Sequence, residues 1–346
     1  MSDIKVSLVI CHHKGRLIDK AIDSLMKSKG VELQIIVITS DETYQDFRVR
    51  VVLQNGGPAH KRNIGFRFAE HNLIAFFDDD VEVRPWAVYE MAKVLERDSH
   101  VGMVFGKLLN MEFPDRFDEA GSFLTTSGFL FARAESGTKD IGQFDQTECI
   151  LAGKSASCMI RRKVFSEIGM FDASYEILAE ETDLAWRVWL YGYQVLYVPS
   201  SVTLHAFNTK FKPADFYTPV RVYFNGSRNY LAMLLTNLGN YELIVPVITQ
   251  FVVWFSAACL FFLTGKREAS VNVFRGLGWV ITHMPQILSK RKIVQRARKV
   301  TDKQLMPIIR RNPTIKYYIN RFFSYISSGR HGGSYDPVKP SVVLTN

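Results

Sequence analysis

The chain is poor in cysteine. Its 346 residues include four, Cys11, Cys149, Cys158 and Cys259, scattered and with no Cys-x-x-Cys pair among them. This excludes a disulfide-stapled miniprotein and a zinc ribbon. A secretory leader pattern is also missing: Asp3 and Lys5 precede only the short apolar run Val6 to Ile10, so a cytoplasmic start is expected. No helix-turn-helix, RNA-binding or zinc-finger signature accompanies the basic residues, which argues against nucleic acid as a partner. What the chain has instead is apolar substance. With 47% hydrophobic and 22% charged residues it belongs among folded proteins. Its length allows one domain of about 250 residues with an appendage, or two domains.

The formal charge of +9 is unevenly placed. Residues 1–263 carry 27 Lys and Arg against 31 Asp and Glu, a balance of −4, whereas residues 264–346 carry 16 against 3, a balance of +13. Just before this basic tail lies LIVPVITQFVVWFSAACLFFL, Leu243 to Leu263, 21 residues without a charge. Such a helix can cross the roughly 30 Å hydrocarbon core of a bilayer, and it lacks the polar stripe usual in a core helix. A single span would separate the basic tail from the rest of the chain, against the preference for basic segments on the cytoplasmic side. A hairpin or re-entrant pair fits better, with Val271 to Leu288 as second arm and Pro246 and Pro285 as kinks. Lys290, Arg291, Lys292, Arg296, Arg298 and Lys299 are then expected on anionic headgroups of the membrane lipids.

Upstream, apolar runs alternate between strand and helix spacing. Lys5 to Cys11, Leu33 to Thr39, Arg50 to Leu53 and Leu73 to Phe77 predict strands; Leu17 to Lys27 and Ala59 to Glu70 predict helices, with Asn55-Gly56-Gly57-Pro58 as a turn. Further on, Thr182 to Leu190 predicts a helix and Val195 to Leu204 a strand. The order predicts an α/β fold with a mostly parallel, doubly wound sheet, in which ligands sit beyond the carboxyl ends of the strands. The fourth strand stops at Asp78-Asp79-Asp80. A helix cap accounts for one Asp but poorly for three. Adjacent carboxylates repel unless a cation neutralises them, and hard oxygen ligands suit Mg2+ or Mn2+, the usual company of a diphosphate. Between Gly106 and Gly153, short alternating stretches broken by glycine suggest a hairpin or loop.

At these residues the chain resembles the family 2 glycosyltransferases of the GT-A fold, over roughly Lys5 to Phe207. SLVICHHKGR is similar to the family's first strand and loop, with Cys11-His12-His13-Lys14 where Pro-Thr-Tyr-Asn is common. GGPAHKRNIG, with Arg62, Asn63 and Gly65, is similar to the helix start beside the nucleotide sugar, and FFDDDV to the metal-binding Asp-x-Asp, carried by Asp78 and Asp80. CMIRRKVFSEIGMFDASYEILAEETDLAWRVWLYGYQVLYVPSSVTLHAF follows the family's Arg-Arg-x-Val-Phe, Gly-x-Phe-Asp, Glu-Asp-x-Asp-Leu, Gly-Tyr and Val-Pro blocks in order and ends in a His. The likeness is to the rhamnosyltransferase-like members.

The resemblance implies an inverting, metal-dependent glycosyltransferase of hexosyltransferase type. It would move a sugar from a UDP, dTDP or GDP donor to a hydroxyl of a lipid-linked or polymeric glycan at the cytoplasmic face of the cell membrane. Mg2+ or Mn2+ would be held by Asp78, Asp80 and His205, and one of Glu180, Glu181 and Asp183 would act as general base. Glu180-Glu181 stands where Glu-Asp is usual, which leaves the base open among the three. Donor contacts fall to His12 and Asp41 at the ends of the first two strands, to Arg62 with Lys61, to Asn63, and to Asp78 and Asp79. Thr39 stands where the family has an Asp that contacts the base or ribose. The expected organisation is a GT-A catalytic domain over 1–240, an apolar membrane-associated helical hairpin or anchor over 241–290, and a basic tail over 291–346. The processive members' Gln-x-x-Arg-Trp is missing, so transfer of one or a few sugars is expected. Two other functions compete. A catalytically silent membrane scaffold is opposed by the intact Asp triplet, and a sugar-phosphate nucleotidyltransferase by His12-His13-Lys14-Gly15-Arg16, a poor substitute for a Gly-rich phosphate loop.

Overall fold

The computed structural model describes residues 4–13, 17–206, 220–315 and 318–319. The β-branched runs become strands. β1 (Ile4–His12), β2 (Val31–Thr39), β3 (Arg50–Leu53) and β4 (Leu73–Asp78) lie parallel in the order β4-β1-β2-β3, with α1 (Ile18–Leu25) and α2 (Pro58–Phe68) as crossovers. β5 (Val81–Val83), α3 (Ala87–Arg97), β6 (Val101–Asn110), β7 (Phe117–Glu119), β8 (Ser122–Leu124), β9 (Leu130–Ala132), β10 (Glu148–Cys149), β11 (Ser157–Arg161), α4 (Arg162–Glu167), α5 (Glu180–Leu190) and β12 (Gln194–His205) follow. The stretch from Gly106 to Gly153 does contain a hairpin, β8 paired with β9.

The main sheet runs β10-β12-β6-β11-β4-β1-β2-β3, with β5 on β12 and β7 on β6. β11 is antiparallel to both β4 and β6, so the sheet is mostly parallel rather than wholly so. Because β11 opposes both, β4 and β6 point the same way, and β12 is parallel to β6. The carboxyl ends of β1, β2, β4 and β12 therefore share one edge. Side chains alternate across β1: Val6, Leu8 and Ile10 enter the core layer beneath α1 and α3, while Val9 enters the layer beneath α2 and α5. Burial on both faces is what a doubly wound sheet requires of its central strands. The close seat of α2 on β1 depends on Gly65, where an added Cβ would lie 2.3 Å from Val9 Cγ1.

After β12 come a π-helical turn (Val220–Phe224), α6 (Asn225–Asn237), α7 (Asn240–Leu263), α8 (Arg267–Thr282), α9 (Met284–Ala297) and α10 (Asp302–Ile309). α7 contains the uncharged 21-residue run. The expected second arm, Val271 to Leu288, is not one helix: it breaks at His283, and Pro285 sits in the first turn of α9, where its missing N–H costs nothing. Of the basic run expected on headgroups, four side chains meet protein partners. Lys290 pairs with Asp172 at 2.5 Å, Arg291 donates to the carbonyls of Leu235 and Leu238, Arg298 to that of Asn237, and Lys299 pairs with Glu167. Those charges tie α9 to α6 and to the α/β part.

Gly65→Ala should lower stability by about 1–3 kcal/mol through overpacking. Chemical denaturation should show that Gly65→Ala combined with Val9→Ala loses less than the two single changes added.

Candidate active site

The Asp triplet turns at the end of β4, and its side chains diverge. The carboxylates of Asp78 and Asp80 approach His205, with the His205 Nε2 3.2 Å from Asp80 Oδ1 and 3.9 Å from Asp78 Oδ2. Register explains the meeting, since His205 on β12 pairs across from Val81 on β5, and the Ala206 N–H donates to the Asp80 carbonyl. One ligand atom from each of Asp78, Asp80 and His205 lies within 4.8 Å of the others. Two hard oxygens and one imidazole form a donor set acceptable to Mn2+, so the residues fit the cation that the sequence implies.

Asp79 faces the other way. Its Oδ2 accepts from His12 Nδ1 at 3.1 Å and from the His13 N–H at 2.8 Å. His12 is buried, and its ring lies 4.7 Å from that of Tyr44. Asp79 and His12, both expected as donor contacts, thus brace the end of β1 against β4. Asp41 folds its carboxylate back on the Thr43 N–H and hydroxyl in the loop after β2.

Arg62 on α2 is 3% exposed, so it is a buried bridge rather than a surface cation. Its guanidinium donates to Asp78 Oδ1 at 2.9 Å and reaches Glu180 Oε1 at 3.5 Å. Burial opposes its charge, but the surrounding acids hold it firmly protonated. Lys61 is buried as well and donates to the His12 carbonyl at 3.0 Å; burial lowers its affinity for the proton. Asn63 makes a reciprocal pair with the Phe171 backbone, at 2.8 and 3.0 Å. Both groups of its amide, expected on the donor, thus hold the chain ahead of α5.

The three candidate acids also separate. Glu180 and Glu181 open α5, where the helix macrodipole favours negative charge, and each keeps a buried Oε2 with no hydrogen-bond partner. Burial and the neighbouring Glu180 raise the Glu181 carboxyl well above the usual carboxylate range. Asp183 is fully buried and accepts from Arg187 Nε at 2.9 Å, Asn237 at 2.9 Å and Lys290 at 3.4 Å. Burial opposes its ionisation, yet the cations around it hold it below the usual range. With its oxygens engaged by three donors, Asp183, one of the three expected bases, is more fully saturated than Glu180 or Glu181.

Two residues escaped the sequence analysis. Asp118 on β7 accepts from His205 Nδ1 at 2.8 Å, and Lys154 donates to the same carboxylate at 2.7 Å. Burial opposes the charge of Asp118, but Lys154 and His205 hold it far below the usual range. Burial alone would lower the His205 imidazole, yet Asp80 and Asp118 outweigh it and push it up to about 9. Nδ1 faces Asp118 and Nε2 faces Asp80, so loss of the Nε2 proton is what would free that nitrogen for a cation, with Asp118 behind the ring as a second layer. Neither residue lies in a recognisable motif; only the pairing of β7 with β6 brings Asp118 to this edge.

A mostly parallel sheet with an Asp-x-Asp turn and a facing histidine at one edge, and paired acids at a helix start, is a glycosyltransferase architecture of the GT-A type. The chain belongs to glycosyl transferase family group 2, whose model matches residues 73–285. No curated protein matches it by sequence. Among solved structures it is similar to Staphylococcus aureus TarS 1–349 in complex with UDP-GlcNAc, at 16% identity over 96% of this chain and 93% of that one, with a TM-score of 0.55. It is also similar to GalNAc-T7 with UDP, GalNAc and Mn2+, at 15% identity over 70% of this chain and 49% of that one, again with a TM-score of 0.55. The chain thus spans about half the length of GalNAc-T7.

Asp118→Ala should weaken Mn2+ binding about 10- to 100-fold in calorimetric titration without nucleotide, and Asp118→Asn, which keeps an acceptor for Nδ1, should weaken it less.

Proposed function

We propose that the protein is an inverting, metal-dependent glycosyltransferase that uses a nucleoside-diphosphate sugar and glycosylates a hydroxyl of a lipid-linked or polymeric glycan. The observation that carries this reading is the convergence of Asp78, Asp80 and His205 at one strand edge, joined through Arg62 to Glu180-Glu181. The silent-scaffold reading gives no account of that convergence, and the nucleotidyltransferase reading, which shares the metal chemistry, lacks its Gly-rich loop after β1. UDP and Mn2+ beside GalNAc-T7, and UDP-GlcNAc in TarS, make UDP the first donor nucleotide to test and Mn2+ the first cation, with Mg2+ second.

A divalent ion on Asp78, Asp80 and His205 would neutralise the charge of the departing diphosphate. Arg62 keeps Asp78 and Glu180 at fixed separation and is itself buried. Because Glu180 is held beside that cation, Glu181 is assigned the proton of the incoming hydroxyl. Its raised proton affinity makes it a stronger base once ionised. One base with direct displacement inverts the anomeric centre.

Membrane association is part of the proposal. Among the described residues one helix, Asn240–Leu263, is long and apolar enough to cross a membrane, and only 28% of its most apolar window is buried. The buried stripe is Pro246, Gln250, Trp254, Ala258 and Phe261, at helical spacing; the last three pack with α6 and α8, the first two against the Ser127-Gly128 turn. Ile244, Val245, Ile248, Val252 and Phe255 are exposed. A helix fixed to the domain along one stripe and apolar on the other suits an interfacial position in the cytoplasmic leaflet, with exposed Lys292 and Arg296 near headgroups. That arrangement would bring the strand edge toward a lipid-linked acceptor.

Calorimetry with UDP, GDP and dTDP should find Mn2+-dependent binding of one nucleotide, abolished by Asp80→Ala; binding unaffected by that change would refute the metal assignment. Glu181→Gln should keep donor binding and lower turnover about 10²- to 10⁴-fold, an unchanged rate moving the base to Glu180. Since only ionised Glu181 accepts a proton, turnover should fall as pH drops through a midpoint above the ordinary carboxylate range. For the membrane, Ile248→Lys with Val252→Lys should move the protein from the vesicle pellet to the supernatant in sedimentation with anionic liposomes.

A further inference from the structure

The two acids at the start of α5 are presented by a backbone that is costly to hold. Leu178 and Ala179, directly before Glu180, both have φ of 70°, a left-handed conformation that side-chain-bearing residues rarely adopt, here twice in succession. Such a turn persists only where its surroundings fix it. The fixing group is visible. Asn229 on α6 is fully buried, and its Nδ2 donates at 2.8 Å to the Ile177 carbonyl and at 2.8 Å to the Leu178 carbonyl. One amide group thus clasps two successive peptides of the turn. Its neighbour Arg228 donates to the Ser174 carbonyl at 2.8 Å and lies 4.8 Å from the Trp279 ring of α8. Eight residues along the same helix, Asn237 holds Asp183 on α5. Residues 229 and 237 lie about two turns apart, so one face of α6 grips α5 at its entry and one turn in.

We propose that Asn229 is a positioning residue for transfer: it holds the left-handed turn at Leu178-Ala179 and so aims Glu180 and Glu181 at the strand edge. The role rests on the glycosyltransferase reading for its consequence, but the restraint itself is independent of it. It also gives the helices after β12 a part in the chemistry, because the clasp comes from α6 and not from the sheet.

The test is amide exchange by mass spectrometry on the full chain in detergent, beside consumption of UDP-GlcNAc with Mn2+. Asn229→Ala should speed exchange of the amides in 178–183 about tenfold and leave β1 and β4 within about twofold of wild type. It should lower kcat at least about fivefold with the donor KM within about twofold. Ala179→Gly placed in that background removes the penalty on positive φ and should recover most of both effects, which a residue that merely fills space would not permit. Wild-type exchange in Asn229→Ala overturns the proposal. So does a rise spread equally over the strands, or no recovery with Ala179→Gly. If Asn229→Ala does not fold, Asn229→Ser, which also removes the amide, serves the same comparison. If wild-type protein consumes no UDP-GlcNAc, the choice of UDP donor fails while the exchange result still decides the role of Asn229.

Discussion

The buried guanidinium of Arg62 is the interaction on which the site depends. It stands between Asp78, at the end of β4, and Glu180, at the start of α5, two elements that the chain joins only after about a hundred residues. Without it, the carboxylates gathered at this edge would repel one another in a poorly solvated place. Removal of one partner from a buried pair typically costs about 3–5 kcal/mol, since the remaining charge is left uncompensated. Arg62 is available because α2 lies hard against β1, and it lies there because residue 65 has no side chain to meet Val9. A packing constraint on one helix face therefore decides the electrostatics of the crevice.

A second layer of charge pairing supports the first. Lys154 and Asp118 stand behind His205, while Arg187, Asn237 and Lys290 surround Asp183. These groups fix geometry rather than meet ligand, and they divide the acidic residues into two kinds. Asp79, Asp118 and Asp183 each accept from two or more protein donors. Glu180 and Glu181 retain an unpartnered oxygen each. That difference in saturation separates acids with scope for chemistry from acids that hold the fold.

Much of the fold was legible because its signals are local. Strand-length β-branched runs at Lys5, Leu33, Arg50 and Leu73 set the parallel half of the sheet, and the order of elements placed the ligand edge at Asp78. The grouping of Asp78, Asp80 and His205 was legible too, through an Asp-x-Asp turn and a histidine at the end of a later strand. What escaped was settled by tertiary pairing. β11 reads as an ordinary short strand, and nothing within it says that it enters the sheet antiparallel between β4 and β6. Asp118 and Asn229 carry no motif, and each matters only through a partner 87 or 52 residues away. Asn63 and Asp183 sit inside motifs, yet their side chains are turned into the protein, because spacing specifies an element and not the direction of a polar side chain.

The basic tail shows the same limit at larger scale. A balance of +13 after residue 264 suggests a solvated or lipid-facing surface, but Lys290, Arg291, Arg298 and Lys299 bind carbonyls and acids of the α/β part and α6. Long cationic side chains are well suited to this, since they cover apolar surface with their stems and satisfy exposed carbonyls at helix ends with their heads. Charge that would otherwise favour an independent, mobile tail here makes α9 a strap across α6. The apolar face of α7 then remains as the principal feature directed away from the protein, held at a fixed attitude to the strand edge. Under the proposed membrane association, a surface of that kind would fix which way the crevice faces, and that orientation, more than the net charge, is what a lipid-linked acceptor would require.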